Sequence, residues 1–391
     1  MLADVDAPSV ITAGRAGTDF GYTLLFPLLL LIPVLYLVQE MTARLGIVTG
    51  RGHAELIRDR YGHRWAALAV LSMVAIDLIA YVAEFAGIAL GAAIVGIPVT
   101  LAVIGTLLVH TLVVLTRSYG GFERIALALS LSLFAFVILA AGGHPSLGGV
   151  VAGLSPLPPF GPPGSFSLAV ALVGASVMPW MLFYQQAASV DKGLAIEDLS
   201  AARWETLTGA IASQTLMGAV VIAAAAAMAN GVPTTVAAGL ADLPAGLARL
   251  ANGPSGALIA VGLIGSGLLA LVVISLSAAW AWSELFSWPH SLNLSVRRAP
   301  GFYALYLLEV VPAALLALLA PKLESLVINA MVLNVVVLAI PLSFLVLLSS
   351  DRQLLGPLVN SRRRAVVLWA VTAALLMVGL IAVASQFGLT G

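Results

Sequence analysis

Long apolar segments separated by short polar loops follow one another along the chain. A helix needs about 20 apolar residues to cross a bilayer, so each segment of that order predicts one crossing. Residues 1–20 are shorter and more polar than this and contain Pro8, so they predict only an incomplete crossing. The predicted crossings are residues 23–38, 66–92, 98–116, 124–141, 166–189, 205–230, 256–286, 301–319, 325–348 and 365–386.

Two prolines stand where an apolar helix would otherwise continue. Pro179 follows Met178 inside the apolar segment 174–184, and Pro8 follows Asp6 closely at the start of the chain. A proline inside a helix removes a backbone donor and frees carbonyl groups that hydrocarbon cannot satisfy. In transporters built from inverted repeats, a pair of broken helices marks a midplane site for a substrate or an ion. We therefore expect a polar site where two broken helices meet.

The composition confines the chain to one class of protein. Of its 391 residues, 61% are hydrophobic and only 9% are charged, and the mean hydropathy is +1.07. These values indicate an all-α polytopic membrane protein. Cysteine is absent, which excludes disulfides, thiolate metal sites and cysteine nucleophiles. Residues 1–20 also lack the basic region and the small-residue cleavage site of a signal peptide.

The basic residues are concentrated in alternate loops. If the predicted crossings are correct, fifteen of the 18 lysines and arginines lie on one side. Such a bias predicts that this side is cytoplasmic, so we expect an integral protein of the bacterial plasma membrane. The loops are short and carry acidic neighbours, which argues against a nucleic-acid partner. The fifteen are Arg44, Arg51, Arg58, Arg60, Arg64, Arg117, Arg124, Lys192, Arg203, Arg297, Arg298, Arg352, Arg362, Arg363 and Arg364.

Four motifs, in this order, give the chain a family resemblance. They are residues 39–51, Ala83-Glu84 followed by Gly96-Ile97-Pro98, residues 174–179, and residues 350–356. Together they resemble conserved stretches of the NRAMP family of divalent-metal transporters. The resemblance implies a LeuT-like fold of two inverted repeats of five helices, with an eleventh helix appended. The expected organisation is one transmembrane domain, 1–391, with repeats at 1–141 and 166–348 and the additional helix at 365–386.

The resemblance also places the family's metal-binding motif at the start of the chain. Phe20-Gly21-Tyr22 is similar to the aromatic-Gly-Tyr pattern before the second helix, which puts Asp-Pro-Gly-Asn on residues 6–9. Asp6 is retained, whereas Ser9 replaces asparagine. The half-helix that should precede Asp6 is almost wholly missing. Either the start codon has been assigned too far downstream, or the protein lacks the intracellular half of its first helix.

These residues suggest a ligand set for a divalent cation. A dehydrated cation at the bilayer midplane needs oxygen ligands, at least one of them anionic. We expect Asp6 to supply the charge, Ser9 a hydroxyl, and the unwound backbone at Ala7 and Ala175 its carbonyl oxygens. Met178 would add a thioether, which favours manganese or ferrous iron over magnesium. The competing interpretations are a packed methionine and a solvated N-terminal aspartate.

Three positions depart from the family pattern. Trp180 stands where the family has histidine, and Met181 where it has asparagine. In the tenth helix the family's glutamine falls on Leu333, and the only nearby amide is the next residue, Asn334. One residue turns a helix by about 100°, so Asn334 is predicted to point away from the site.

Several further polar residues lie inside predicted crossings. Asp77, Tyr81 and Glu84 form a stripe on one face of the third helix. Glu84 matches the family's glutamate associated with proton transfer, and Gln39 resembles its glutamine in the second helix. We assign these four to a proton or ion pathway, with an interhelical hydrogen bond as the alternative. His110 and Glu309 also lie inside crossings, and we predict ordinary interhelical contacts for them.

The leading hypothesis is a secondary transporter of manganese or ferrous iron that works by alternating access, with proton coupling left open. The metal is the substrate, and no cofactor is expected. A magnesium-transporting relative and an amino-acid/cation symporter on the same scaffold remain alternatives, although the symporter would need a glycine-rich break in the first helix. An intramembrane enzyme is disfavoured because there is no His-Glu-x-x-His motif and no cysteine. No soluble output domain is present for a metal sensor.

Overall fold

The structure is a computed structural model that describes residues 2–115, 118–156, 164–233, 242–318 and 323–386. The described chain is helical throughout, with short loops and 3-10 turns such as Leu2–Asp4. The helices are α1 (Ala7–Phe20), α2 (Leu25–Thr49), α3 (His53–Tyr61), α4 (His63–Ile94), α5 (Val99–Val114), α6 (Tyr119–Ser130), α7 (Phe134–Gly142), α8 (Leu147–Gly153), α9 (Ser165–Ser176), α10 (Pro179–Asp191), α11 (Leu199–Ala229), α12 (Ala245–Leu250), α13 (Gly253–Phe286), α14 (Pro300–Leu308), α15 (Val310–Ala317), α16 (Leu323–Ser349), α17 (Arg352–Leu355) and α18 (Arg362–Gln386).

The predicted crossings are confirmed as helices. In the described residues, nine helical segments are long and apolar enough to cross a membrane. The crossing predicted at 98–116 is the shorter α5, and residues 116 and 319, which end two predicted crossings, lie outside the described residues. Three crossings are each made of two consecutive helices: α6 with α7, α9 with α10, and α14 with α15.

The chain start forms a half-length helix. Asp6 is the N-cap of α1, with extended backbone (φ −85°, ψ 175°), and Pro8 lies in the first turn. A proline costs little there because the first turn of a helix has no intrahelical partner for its N–H groups. Pro8 therefore belongs to the beginning of α1 and does not interrupt it. At 14 residues, α1 is too short to cross a bilayer alone.

Glycines allow helix backbones to touch around α1 and α9. A Cβ on Gly17 would lie 2.2 Å from the carbonyl oxygen of Val221, and one on Gly174 would lie 1.8 Å from that of Met331. In lipid, where helices gain little from burying apolar surface against each other, such close packing is a main source of association. These contacts fix α1 against α11 and α9 against α16.

A buried carboxylate joins three helices at one end of the bundle. Glu40 on α2 is 1% exposed and pairs with Arg44 at 3.2 Å, Arg203 at 3.0 Å and Arg364. Arg44 also donates to the Asn360 side chain at 2.7 Å. Because a lone buried charge would be costly, the pairs hold α2, α11 and the first turn of α18 together. The three arginines share one end, which we call the arginine-rich end.

The short helix α3 lies at the same end. The Glu284 carboxylate of α13 accepts the Ala54 N–H at 2.9 Å at the start of α3. His53 is buried between Gln186 and the Pro341 carbonyl, with ring nitrogens 3.1 and 3.3 Å from their oxygens. Burial lowers the pKa of His53 to about 4 against the opposing effect of these two contacts. The imidazole is therefore neutral at pH 7.

The close contact of α9 with α16 predicts a strong effect of a single methyl group. Gly174→Ala should lower the free energy of unfolding by about 1–3 kcal/mol, the usual cost of overpacking, because its Cβ meets backbone that cannot turn aside. Gly105→Ala is the control, since a Cβ on Gly105 meets no atom within 4 Å. Thermal unfolding of the detergent-solubilised protein measures both. Equal midpoints for the two variants would contradict the packing described here.

Candidate metal site

The crossing formed by α9 and α10 is broken in its middle. Helix α9 ends at Ser176, and α10 begins at Pro179. Val177 (φ −127°, ψ 103°) and Met178 (φ −110°, ψ 147°) between them are extended. The last carbonyl groups of α9 therefore have no helical N–H ahead of them. These carbonyls are buried, so other parts of the chain must satisfy them.

Side chains from two other helices reach these carbonyls. The Ser9 hydroxyl on α1 donates to the Ala175 carbonyl at 2.8 Å. The Asn334 amide on α16 donates to the Gly174 carbonyl at 2.7 Å. The beginning of α1 and the break between α9 and α10 are thus in direct contact, and Ser9 and Ala175 lie together.

Asp6 places a carboxylate at this contact. Its Oδ1 accepts the Ser9 N–H at 2.7 Å, and the side chain is completely buried. Its Oδ2 is also buried and finds no N–H or O–H donor among the described residues, but the carboxyl group of Glu84 lies within hydrogen-bonding reach of it. A buried carboxylate oxygen without a donor is costly. Asp6 therefore calls for either a cation or a proton.

Trp180 and Met181, which depart from the family pattern, both form hydrogen bonds with Met178. The Trp180 indole N–H donates to the Met178 sulfur at 3.1 Å. The Met181 sulfur accepts the Met178 N–H at 3.1 Å, which satisfies a free donor at the start of α10. Ser277 on α13 donates to the Trp180 carbonyl at 2.8 Å. The indole N–H thus orients the thioether of Met178. The thioether of Met181 takes the place of the polar side chain that usually caps the start of a helix.

Ala7 is not part of the extended backbone. It is the first residue of α1, and its N–H donates to the Glu84 carboxylate at 3.2 Å. The unwound backbone lies one residue earlier, at Asp6. Glu84 is fully buried; its Oε1 has no N–H or O–H donor in the described part of the chain, and its carboxyl group lies against that of Asp6. Glu84 thus stands beside the start of α1, close to the Asp6 site.

The other residues of the α4 stripe belong to a separate polar cluster. Tyr81 donates to the Ser275 hydroxyl at 3.0 Å and to Glu309 at 3.4 Å. His110 contacts the same hydroxyl at 2.8 Å. Asp77 is buried, and both its carboxylate oxygens are without a partner in the described ranges. The contacts predicted for His110 and Glu309 exist, and they converge on Tyr81 and Ser275.

Gln39 lies away from this cluster. Its side-chain oxygen accepts from Thr42 at 3.4 Å, one turn along α2. It borders a small cavity shared with Asp4, Met181 and Gln185.

A larger cavity of about 390 Å³ opens nearby at the arginine-rich end. Its walls come from α6, α10, α11 and α13, with Leu2 and Ala3. Lys192 pairs there with Glu123 at 2.6 Å and with Glu205 at 3.7 Å. At the opposite end α12 covers α1, since the Gly246 N–H donates to Thr18 at 2.9 Å. The larger cavity therefore opens at the arginine-rich end, and the linings of the two cavities do not include Asp6, Ser9, Ala175 or Met178.

The prediction for Asn334 is wrong. Asn334 is 1% exposed and bonds to Gly174, whereas Leu333 is 39% exposed. The face of α16 that meets the break is set by its backbone contact with Gly174, which places Asn334 inward. Sequence reasoning also missed Gln214 on α11, which contacts Ser176 at 3.3 Å and keeps its Nε2 unpartnered within the described chain. A buried amide in an apolar helix was the available signal for both.

The donor atoms around Asp6 are chemically mixed. Among the described residues there is no group of three or more histidine, cysteine, aspartate or glutamate side chains that could hold a metal. A cation here would depend on a carboxylate supplemented by backbone carbonyls, a hydroxyl, an amide oxygen and a thioether. Such a set suits a cation of intermediate softness better than calcium or magnesium.

Comparisons with known proteins identify relatives of this chain. The family model described as natural resistance-associated macrophage protein-like matches residues 1–385. The divalent metal cation transporter MntH 1 of Pseudomonas aeruginosa is 31% identical over 404 residues, covering 94% of this chain and 85% of that protein. The MntH of Xanthomonas campestris is 30% identical over 386 residues, covering 93% and 83%.

Solved structures give the same fold. A manganese transporter of Eremococcus coleocola superimposes with a TM-score of 0.80 at 22% identity, covering 98% of this chain and 84% of that one. A nucleobase-cation-symport-1 family transporter, MHP1, gives 0.57 at 14% identity, covering 100% and 93%. The expected LeuT-like fold is confirmed.

The position of Asn334 gives a direct test of the site. Asn334→Ala should weaken binding of the Mn²⁺ predicted from the sequence by about tenfold, ~1.4 kcal/mol, because the Gly174 carbonyl loses its donor and the break loses its anchor to α16. Leu333→Ala, one residue earlier, should leave the affinity unchanged. Isothermal titration of both purified variants measures the difference. The reverse ranking would contradict the role of Asn334 and favour Leu333 as the position that faces the site.

Proposed function

The chain belongs to the NRAMP-like family of divalent metal cation transporters, and from this premise we propose that it carries manganese or ferrous iron by alternating access. It is a transporter and not an enzyme. The observation that carries the finer proposal is the buried pair of Asp6 and Glu84, whose Asp6 Oδ2 has no N–H or O–H donor in the described chain, where α1 meets the broken crossing. The metal is the substrate, and no cofactor enters the proposal.

The proposed ligands follow from which atoms are free. Asp6 offers Oδ2, and the Ala175 carbonyl keeps a second lone pair beside its bond from Ser9. The Ser9 oxygen and the Met178 sulfur complete the set expected from the sequence. Asn334 adds an amide oxygen that is buried and unpartnered within the described residues. The carbonyl of Ala7 is the weakest candidate, since Ala7 is already helical.

Helix dipoles explain why an anionic ligand is needed. Helices α1 and α10 both begin at the site, and helix N-termini carry partial positive charge that repels a cation. Only α9 directs its negative end there. The carboxylate of Asp6 offsets the two positive ends and leaves a net attraction for a divalent ion.

Selectivity is proposed to come from sulfur. A thioether favours softer transition metals, whereas calcium and magnesium prefer shells made wholly of oxygen. The Trp180 N–H bond holds the Met178 sulfur in place. The absence of the family's histidine and the presence of Ser9 are the features that would instead favour a remodelled, magnesium-transporting relative.

Access to the site supports the transport cycle. The cavity at the arginine-rich end reaches Ala3, and α12 covers α1 at the other end. We assign this arrangement to the state that releases metal toward the arginine-rich side. That side is proposed to be the cytoplasm, and the membrane the plasma membrane of a bacterium, as for the MntH relatives. The moving units are proposed to be the repeats 1–141 and 166–348, with 365–386 outside them.

A proton pathway is proposed along α4. Glu84 touches the start of α1, while Tyr81 leads to Ser275 and Glu309. Asp77 lies two turns before Glu84 and has no partner in the described residues. Proton transfer from the site through Glu84 to this cluster uses only groups that can hold a proton. Gln39, which borders the small cavity, belongs to the ion path.

Metal selectivity is testable in liposomes. Met178→Ala should reduce the preference for Mn²⁺ over Ca²⁺ and Mg²⁺ by about tenfold, because the soft ligand is lost. Met217→Ala, an equally buried methionine on α11, should change nothing. Asp6→Asn should abolish uptake. Unchanged selectivity in Met178→Ala would reject the role of sulfur, and magnesium transport by the wild type would favour the remodelled relative.

Proton coupling is measured with a pH-sensitive dye inside the same liposomes. Glu84→Gln should remove proton movement driven by a Mn²⁺ gradient and leave the Kd for Mn²⁺ within about threefold, because the amide cannot carry the proton but keeps the side-chain shape. Glu197→Gln, which removes an exposed carboxylate, is the control. If the wild type moves metal without protons, coupling itself is absent.

A further inference from the structure

Asp4 is a buried acid with no role in the mechanism above. It closes the 3-10 turn Leu2–Asp4, two residues before Asp6, and is 2% exposed. Its Oδ2 is buried and has no hydrogen-bond partner in the described residues. An unpartnered, buried carboxylate oxygen is costly in an apolar environment. Packing alone does not account for an aspartate at this position.

The side chain of Asp4 forms part of a cavity wall. The cavity has a volume of about 10 Å³, which is about the space of one water molecule or one small ion. Its wall includes Gln39, Gln185 and Tyr184, whose side chains carry oxygen atoms, and the Tyr184 hydroxyl forms a hydrogen bond with Tyr119. These are oxygen donors of the kind that hard and intermediate divalent cations bind.

The small cavity adjoins the large one. Ala3, Tyr184, Gln185 and Val273 line both. Asp4 is thus two residues from Asp6 in the chain and lines a cavity that shares four wall residues with the 390 Å³ cavity at the arginine-rich end. The shortest route from Asp6 toward the open cavity along the chain start leads past Asp4.

We propose that Asp4 is a second, weaker binding site for the transported divalent cation, on the exit route from Asp6. The proposal rests on the proposed function. A bare divalent ion cannot cross apolar space at low cost. A carboxylate beyond Asp6 on the exit route shortens the distance that the ion travels without an anionic ligand. Binding at the second site must be weak enough for the ion to leave, as in multi-ion pores.

The two sites differ in donor chemistry. Both thioethers accept one hydrogen bond, that of Met178 from the Trp180 N–H and that of Met181 from the Met178 N–H. The wall beside Asp4 contains the Met181 thioether and four oxygen-bearing side chains, those of Asp4, Gln39, Tyr184 and Gln185. Its donors are mainly oxygen, so we expect the second site to discriminate less between Mn²⁺ and Ca²⁺ than the Asp6 site does. Selection takes place at Asp6, and Asp4 only passes the ion on.

The test measures Mn²⁺ binding to the full-length protein in detergent, using the loss of the electron paramagnetic resonance signal of free Mn²⁺. Asp6→Asn should remove the tight site and leave a weak one, for which Ca²⁺ competes at similar concentration. Adding Asp4→Asn should weaken this residual binding by more than about tenfold. Adding the exposed Glu197→Gln instead should leave it unchanged. Asp4→Glu, which keeps the charge, should retain the weak site.

The outcomes separate the two claims. Two results overturn the Asp4 site: equal residual binding in the Asp4→Asn and Glu197→Gln double variants, or complete loss of binding in Asp6→Asn alone. Either result leaves Asp6 as the primary site. Tight binding that survives Asp6→Asn overturns the proposed function. In liposomes Asp4→Asn alone should lower the maximal Mn²⁺ uptake rate about tenfold with little change in KM. An unchanged rate argues against the exit role, and elution as a monodisperse peak confirms that the variant is folded.

Discussion

The need to satisfy backbone carbonyls inside a membrane governs the centre of this protein. A helix broken in hydrocarbon exposes groups that lipid cannot bind. At the break between α9 and α10, Ser9 and Asn334 satisfy two of these groups from two other helices. The break is therefore stable only while α1, α9 and α16 remain together. The same carbonyls and the same helices form the proposed cation site, so the structural requirement and the proposed site coincide.

Close backbone packing and one charge cluster keep these helices in position. Gly17 and Gly174 let α1 and α9 approach the backbones of α11 and α16. Glu40 and its arginines close the arginine-rich end of α2, α11 and α18. The first contacts are apolar and depend on shape, whereas the second depend on charge. If the helices move relative to one another in transport, the Gly174 and Ala175 carbonyls must keep hydrogen-bond donors while the apolar and charged contacts between helices change.

Much of the fold and part of the site followed from the sequence. Hydropathy placed the crossings because the bilayer imposes a length on each, and Pro179 located the break because a proline cannot continue a helix. The motif at residues 6–9 placed Asp6 and Ser9. The unwound backbone expected around Ala7 and Ala175 lies beside them, at Asp6 and at Val177, because Asp6 is an N-cap that starts α1 at once and α9 continues to Ser176.

Other parts of the site depend on packing that no linear pattern contains. The contact of Gly174 with Met331 decides which face of α16 meets α9. Sequence spacing alone therefore could not tell whether Leu333 or Asn334 faces the break. Tyr81, Ser275 and Glu309 come from three helices far apart in sequence. The cavity beside Asp4 likewise exists only after α2, α10 and the chain start converge.

The paired thioethers at the break carry a chemical vulnerability. The chain has nine methionines and no cysteine, so thioethers are its only oxidisable sulfur. Oxidation of Met181 to the sulfoxide would add a polar, chiral oxygen next to the first turn of α10, and oxidation of Met178 would turn a soft donor into a hard one. Peroxide stress would then act on ion preference at the very position that sets it, and reduction of the sulfoxides would restore the original chemistry.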